Sequence, residues 1–192
     1  MREIGLFFGS FNPIHNGHLM LAQYVRNFCG IDEVWFVVSP QNPFKKISDL
    51  ADESHRLTMA ELAIGNDNRM QACDIEVNLP KPSYTVRTLE KLREMYPDDR
   101  FTLIMGGDNI IGFDKWREYE KIIEHHRIVV YPRPHCDVVV KIEGANIEYV
   151  DAPLLDISST ALRQWISQGK SIRHYTPDNV IEYIDSKGLY KN

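Results

Sequence analysis

The first candidate catalytic or ligand-binding residues are two histidines that follow the first apolar run of the chain. The run covers residues 4–8, and His15 and His18 close the stretch GSFNPIHNGH at 9–18. A histidine there can bind zinc, stay solvated while it caps a turn, or donate to a phosphate. Zinc is the weakest of these roles, because two histidines are an incomplete ligand set and no Cys or acidic residue stands at ligand spacing beside them.

The glycines around the histidines favour phosphate binding. Gly9 allows a tight turn and a close approach of the backbone after the strand, and Gly17 leads into a helix. His18 then falls in the first helical turn, where unpaired N–H groups and the helix dipole favour an anion. The chain has no G-x-x-x-x-G-K-[ST] loop, and no G-x-G-x-x-G follows a strand. A P-loop ATPase and an ordinary dinucleotide dehydrogenase are therefore disfavoured.

Apolar runs and amphipathic segments alternate along the chain. The apolar runs predict strands at 4–8, 34–38, 71–79, 101–105, 128–131 and 147–150. Helical spacing and stop signals predict helices at 19–29, 54–64, 85–95, 116–125, 159–167 and 177–186. This alternation indicates an α/β fold: one doubly wound domain over residues 1–192, with a mostly parallel sheet and helices on both faces.

The ligands of such a sheet bind beyond the carboxyl ends of its strands. The segments expected at the site are therefore those that follow strands, namely 9–18, 39–46, 80–85, 106–116 and 152–163. Residues 132–146 are irregular in sequence, and we assign them no role.

Composition excludes several classes of protein. The net charge is −5, from 22 basic and 27 acidic residues, so the basic footprint of a nucleic-acid-binding protein is absent. No apolar stretch approaches the roughly 20 residues that span a bilayer, and the first residues lack the apolar core of a signal peptide. Cys29, Cys73 and Cys136 are far apart and odd in number, which is typical of reduced thiols. We expect a cytoplasmic protein with no nucleic-acid or membrane partner, and leave open whether it forms a homo-oligomer.

Two motifs together resemble a known family. GSFNPIHNGH resembles the H-x-G-H signature of the nucleotidyltransferase superfamily with a Rossmann-like fold, and ISSTALR at 157–163 resembles its second signature, I-S-S-T-x-[IL]-R. Over essentially its whole length the chain is similar to nicotinate/nicotinamide mononucleotide adenylyltransferases. Asn12 and Phe44 stand where many bacterial relatives carry Asp and His. Supporting segments lie at 39–46, 55–63, 82–89 and 106–116.

The resemblance implies that ATP and a pyridine mononucleotide give a dinucleotide and pyrophosphate. The mononucleotide phosphate attacks the α-phosphorus of ATP and is already an anion, so neither a general base nor a covalent intermediate is required. Catalysis then consists of alignment and of stabilising charge on the phosphates. The resemblance also implies Mg²⁺ bound mainly through ATP phosphates and water, with few protein carboxylates, and we assign no residue of the chain as a metal ligand.

Roles follow from the resemblance, residue by residue. Those expected to hold the phosphates and the leaving pyrophosphate are His15, His18 and Arg163. Those expected to bind ATP, by backbone, hydroxyl or ribose contacts, are Gly9, Ser10, Phe11, Gly106, Asp108, Ser158, Ser159 and Thr160. Those expected to bind the mononucleotide are Lys45, Lys46, Ser83, Tyr84, Thr85 and Trp116.

Each of these residues also has a plainer interpretation. Ser158 can simply cap a helix, Asp108 can belong to a turn, and Trp116, which the resemblance stacks on the pyridine ring, can be part of the core. Which of the two lysines contacts phosphate stays open. Arg56 fits a structural cation better than a substrate contact.

Ser83, Tyr84 and Thr85 precede a predicted helix whose N–H groups favour a carboxylate over a neutral amide. We therefore expect nicotinate mononucleotide as substrate. The amide form, or both forms, stays an alternative, because Asn12 and the paired lysines resemble enzymes that also accept the amide. Less favoured functions are a phosphopantetheine or cytidylyl transferase, a non-catalytic nucleotide sensor and a structural protein.

Overall fold

The sheet has six strands, all parallel to their neighbours, in the order β3-β2-β1-β4-β5-β6. A computed structural model describes residues 1–40, 50–134, 136, 139–153 and 155–191. The strands are β1 Glu3–Gly9, β2 Glu33–Val38, β3 Met70–Cys73, β4 Arg100–Gly106, β5 Arg127–Tyr131 and β6 Ile147–Tyr149. The doubly wound parallel fold expected from the sequence is confirmed.

Helices cover both faces of this sheet. They are α1 Asn16–Phe28, α2 Glu53–Ile64, α3 Thr85–Met95, α4 Gly107–Ile110, α5 Tyr119–His125, α6 Ser159–Ser167 and α7 Asp178–Lys187. Two short 3₁₀ helices lie at Ile75–Asn78 and Phe113–Lys115. Within the described residues, no helix is both long and apolar enough to cross a membrane.

Alternate side chains of each strand feed two separate cores. In β1, Phe7 packs with α1, α2, α6 and α7 on one face, whereas Ile4 and Leu6 pack with α3 and α5 on the other. In β2, Phe36 and Trp35 divide in the same way. Burial on both faces explains why these strands are continuously apolar in sequence.

The chain order reverses between β1 and β4, so this is the switch point of the sheet. Loops leave in opposite directions there and open a crevice at the carboxyl ends of the strands, where such folds bind ligands. Residues 9–15 follow β1, and α4 follows β4. The switch point thus lies at the two segments where the sequence predicts the ATP site.

The helix expected at 19–29 begins earlier, at Asn16, and two further predicted elements differ from the structure. The strand expected at 71–79 ends at Cys73 and continues as a 3₁₀ helix, which carries the side chain of Glu76 into the interior. The helix expected at 116–125 begins at Tyr119, because Glu118 takes a left-handed conformation at its start, with φ of 53°. Both differences depend on tertiary contacts that hydrophobic periodicity does not report.

Candidate functional site

The loop after β1 is shaped by a ring buried beneath it. Phe11 is 2% exposed, and its ring lies edge-on to the rings of Phe7 and Phe36. Its φ of 45° turns the backbone sharply. A Cβ on Gly9 would lie 2.8 Å from this ring, so only glycine lets the loop fold so tightly over it. Phe11 can therefore reach a ligand only through its backbone.

The two histidines lie on top of each other at the start of α1. Their ring centroids are 3.6 Å apart, with 20° between the planes. The backbone N–H of His15 donates to Nδ1 of His18 at 3.2 Å. An accepting Nδ1 places the proton of a neutral His18 ring on Nε2. A Cβ on Gly17 would lie 3.0 Å from Nδ1 of His15, so this glycine gives the His15 ring its room.

His15 is a neutral donor rather than a cation. Burial lowers its pKa to about 4, and the positive charge of Arg133 adds to the effect. Positive charge beside a phosphate chain must then come from elsewhere in the site. Arg133 and Arg163 can supply it, because a guanidinium stays protonated at any physiological pH.

Arg133 is a residue of this site that the sequence interpretation missed. It follows β5, and its guanidinium carbon lies 5.0 Å from the centre of the Tyr131 ring. Its Nε lies 3.5 Å from Oδ1 of Asp108. Arg133 lines a cavity of about 540 Å³ together with His15, Gly17 and His18. Its position in the sequence could have indicated this, since Arg133 lies just beyond the carboxyl end of a predicted strand. We assigned it no role because residues 132–146 are irregular in sequence.

Gly106 makes room for the pair of Asp108 and Arg133. A Cβ on this glycine would lie 2.4 Å from Oδ1 of Asp108 and 2.8 Å from Nε of Arg133. Asp108 itself is exposed, in the first turn of the short α4. The ends of β4 and β5 are thus joined at the rim of the cavity.

The two sequence motifs meet in space. Nη1 of Arg163 donates to the carbonyl of Asn12 at 2.9 Å, and the hydroxyl of Ser159 donates to the carbonyl of Pro13 at 2.8 Å. The hydroxyl of Ser158 accepts from the N–H of Ala161 at 3.2 Å and so caps α6. These contacts hold the beginning of α6 against the loop after β1.

Two further residues lie where α6 meets the loop after β1, one exposed and one buried. Thr160 is exposed in the first turn of α6. Asn12 is buried, and its Oδ1 accepts from the hydroxyl of Tyr190 at 2.7 Å and from the N–H of Ala51 at 3.1 Å. The amide oxygen of Asn12 therefore joins the loop after β1 to Ala51 and to Tyr190.

Arg56 ties the loops after β1 and β2 together. It is 0% exposed. Its guanidinium donates to the carbonyls of Ser10 at 2.7 Å, Ser39 at 2.7 Å, Pro40 at 3.0 Å and Ala51 at 2.9 Å. This geometry supports the structural role expected of Arg56. Lys45 and Lys46, expected in the same region, lie outside the described residues.

Ser83, Tyr84 and Thr85 lie at the start of α3. Tyr84 is the N-cap, and its side chain makes no capping hydrogen bond. The guanidinium carbon of Arg117 lies 4.7 Å from the centre of the Tyr84 ring. Trp116 is half-buried, with its ring 5.2 Å from that of Phe113. Tyr84 and Trp116 pack against the same core, so the structure brings the two predicted mononucleotide segments together.

The donor set at the loop suits phosphate oxygens better than a metal ion. Imidazole, guanidinium and backbone N–H groups surround it. In the part of the chain that the structure describes, no three His, Cys, Asp or Glu side chains converge on one point. These donors suit the phosphate oxygens of a nucleotide, which can carry a metal ion of its own.

A parallel sheet with paired histidines at its switch point, and an arginine-bearing helix bonded to the same loop, defines a nucleotidyltransferase of the Rossmann-like type. The sequence profile described as cytidylyltransferase-like matches residues 6–165. Relatives from Flavobacterium johnsoniae and Bacteroides fragilis, each named "Probable nicotinate-nucleotide adenylyltransferase", are both 47% identical to the chain. The first match covers 98% of this chain and 99% of the relative, and the second covers 95% and 90%. The chain belongs to the cytidylyltransferase-like family and, within it, to the nicotinate-nucleotide adenylyltransferases.

A solved structure has the same fold. It is the nicotinic acid mononucleotide adenylyltransferase of Plasmodium falciparum, described as complexed with NaAD. It superposes with a TM-score of 0.79 over 99% of this chain and 98% of its own, at 24% identity. At that identity the likeness concerns the fold alone.

Proposed function

We propose that this protein is an enzyme of NAD biosynthesis that transfers the adenylyl group of ATP to nicotinate mononucleotide, releasing pyrophosphate and forming deamido-NAD. The observation that carries the proposal is the contact between the two motifs: Arg163 and Ser159 bond to the carbonyls of Asn12 and Pro13 beside the paired histidines. The names of relatives that match almost the whole chain support the choice of substrates.

On the ATP side, the protein supplies donors rather than a nucleophile or a base. Nε2–H of His18, neutral His15, the start of α1 and Arg163 surround the place of the phosphate chain. Arg133 adds a second permanent charge. Backbone around Gly9 and Ser10 approaches the phosphates closely, and Asp108 binds ribose hydroxyls. Mg²⁺ bound to ATP, held mainly by phosphate oxygens and water, would neutralise part of the phosphate charge.

Of the predicted hydroxyl donors, Thr160 is the one we assign to phosphate. The hydroxyls of Ser158 and Ser159 serve a helix cap and the Pro13 carbonyl. Their backbone N–H groups, at the start of α6, remain the means by which they contact ATP.

On the mononucleotide side, the start of α3 receives the pyridine carboxylate. Its N–H groups have no side-chain cap from Tyr84, and they favour an anion over a neutral amide. Arg117 and Arg87 lie near the Tyr84 ring and make the local potential more positive. Trp116 stacks on the pyridine ring, and Lys45 or Lys46 binds the phosphate.

The proposal extends to the setting of the reaction. The whole chain, residues 1–192, acts as a single domain in the cytoplasm. Its substrates are small molecules, and a net charge of −5 argues against nucleic acid as a partner.

The test is pyrophosphate release from ATP and Mg²⁺ with nicotinate mononucleotide and, in parallel, with nicotinamide mononucleotide. We expect a higher kcat/KM with the acid. Equal kcat/KM values for the two mononucleotides would support the transferase activity but reject a preference for the pyridine carboxylate. ATP binding without release from either acceptor would reject the proposal in favour of a nucleotide sensor.

A further inference from the structure

A buried glutamate lies beneath the start of α3, outside the residues assigned to either substrate. Glu76 belongs to the 3₁₀ helix after β3 and is 2% exposed. Its carboxylate accepts from the hydroxyl of Thr88 at 2.8 Å and from that of Ser83 at 3.2 Å. Ser39, in the loop after β2, is a third hydrogen-bond partner. One carboxylate thus joins two loops to α3.

This carboxylate is stabilised by hydroxyl groups. Burial raises the pKa of Glu76, while the bonds from Thr88, Ser39 and Ser83 act in the opposite direction. A buried carboxylate costs free energy unless its oxygens are hydrogen-bonded. Glu76 can therefore be buried only while these hydroxyls donate to it. The same bonds fix the direction in which the hydroxyls point.

The hydroxyls held by Glu76 flank a helix start without a side-chain cap. Asp52 caps α2 and Ser158 caps α6, but the N-cap of α3, Tyr84, makes no such bond. Ser83 directly precedes Tyr84, and a serine hydroxyl there competes for the first N–H groups of a helix. Thr88 has a different part: its hydroxyl donates to Glu76 at 2.8 Å and lies 3.5 Å from the Tyr84 carbonyl one turn back, so it holds the carboxylate beside Ser83.

We propose that Glu76, held in place by the hydroxyl of Thr88, is a positioning residue that sets the preference for the acid over the amide mononucleotide, by drawing the hydroxyl of Ser83 away from the start of α3. This inference rests on the proposed function. With the Ser83 hydroxyl held below, the first N–H groups of α3 face the pyridine carboxylate. A hydroxyl that returned to cap the helix would compete with a carboxylate more than with an amide, because the carboxylate depends more on those donors.

The decisive variant is Glu76→Gln, which keeps the shape of the side chain but has one accepting oxygen instead of two. The ratio of kcat/KM for the acid to kcat/KM for the amide should fall about tenfold, as expected for one misplaced charge-assisted hydrogen bond. The KM for ATP should not change. Adding Ser83→Ala removes the competing hydroxyl and should restore part of the ratio, an outcome that a general loss of packing would not produce.

Thr88→Val keeps the inference testable if Glu76→Gln does not fold, and Thr88→Ser retains the hydroxyl as its control. Val should lower the ratio and Ser should not. Glu3→Gln is the matched control for the glutamate, because Glu3 accepts from the hydroxyl of Thr102 at the amino ends of the central strands β1 and β4, away from the site. It should leave the ratio unchanged.

The two failures are distinguishable. If the wild-type protein releases no pyrophosphate with either mononucleotide, the proposed function falls before any variant is measured. If the wild type prefers the acid, but Glu76→Gln and Thr88→Val both keep its acid-to-amide ratio, the role of Glu76 is overturned while the function stands.

Discussion

The loop after β1, on the ATP side of the site, and the start of α3, on the mononucleotide side, are held in place by different kinds of contact. On the ATP side, side chains from the last third of the chain donate to backbone carbonyls of the loop after β1: Arg163 to Asn12, Ser159 to Pro13 and Thr176 to Ile14. On the mononucleotide side, side chains hold side chains, as Arg117 does with Tyr84 and Glu76 with Ser83.

This difference suits what each side has to recognise. A phosphate chain is bound by many donors at once, so the loop that presents them must not shift, and anchors on its own carbonyls prevent that. The pyridine substituent is recognised locally, and contacts between side chains can be altered without moving the sheet. We therefore expect substitutions on the ATP side to reduce rate or stability, and those on the mononucleotide side to change KM and selectivity.

The largest effect should come from Arg163. Replacing it with Ala removes both a phosphate-binding charge and the bond to the Asn12 carbonyl. We expect kcat to fall about 100- to 1000-fold, as for the loss of a preorganised donor to transition-state charge. Arg163→Lys should restore only part of kcat, since lysine keeps the positive charge but lacks the planar guanidinium with its several N–H donors.

Arg173 provides the control for Arg163, because it is exposed and pairs with Asp178 at 3.6 Å. Steady-state pyrophosphate release, with thermal melting for folding, decides the outcome. A folded Arg163→Ala variant within tenfold of wild-type kcat would remove the main support for a rigid ATP side.

The burial of His15 should appear as a dependence of stability on pH. The pKa of His15 is about 4 in the folded protein, whereas an unperturbed imidazole has a pKa of 6.5. Between these values the unfolded chain binds a proton that the folded protein does not, so stability falls as the pH drops through this window. The loss at this site should reach about 3 kcal/mol near pH 4.

Urea unfolding of the wild type and of His15→Gln at pH 7, 6, 5 and 4 measures this effect. The difference between the two proteins isolates His15, because the buried His126, whose pKa is also lowered, is present in both. Parallel pH profiles would mean that His15 is not buried as a neutral ring.

Substitutions at two glycines, Gly9 and Gly106, should distinguish the effect of core packing from the effect of ATP binding on the ATP side. A Cβ on Gly9 meets the buried ring of Phe11, which other aromatic rings prevent from retreating. Gly9→Ala should therefore cost about 1–3 kcal/mol of stability. A Cβ on Gly106 meets Oδ1 of Asp108 and Nε and Cγ of Arg133, which belong to two partly exposed side chains with more room to shift than a packed ring.

Gly106→Ala should consequently keep the wild-type melting temperature while it raises the KM for ATP about threefold or more, the size of effect expected when one polar contact is lost. Thermal melting and ATP saturation curves test both variants together. Equal losses of stability in the two would show that the Asp108–Arg133 pair is as rigid as the core beneath Phe11.

The sequence predicts the sheet well because its strands are buried on both faces, and burial leaves a continuous apolar run. It fails at Glu76, where alternation of Ile75 and Val77 with polar residues imitates a strand. The turn there is decided by Thr88 and Ser83, which follow later in the chain and carry no periodic signal.

The candidate site divides in the same way. The paired histidines and the helix bearing Arg163 are visible as motifs, because they need particular side chains at fixed spacing. Their anchors are not visible, since a carbonyl acceptor such as that of Asn12 or Pro13 has no signature in sequence. Arg133 could have been predicted, because ligands bind beyond strand ends and Arg133 follows β5. It was not predicted, because the residues around it have no regular sequence pattern.

The smallest effect should come from Arg117 on the mononucleotide side. Its guanidinium lies over the Tyr84 ring and is partly exposed, so Arg117→Leu should raise the KM for nicotinate mononucleotide only about two- to fivefold. The KM for ATP and the melting temperature should not change. Lys187→Leu, which removes a cation 5.9 Å from the Tyr183 ring on the opposite face, is the matched control. If Arg117→Leu raised the KM for ATP as strongly as that for the mononucleotide, the two sides would not be separable, because a contact between side chains would then be holding the phosphate loop as well.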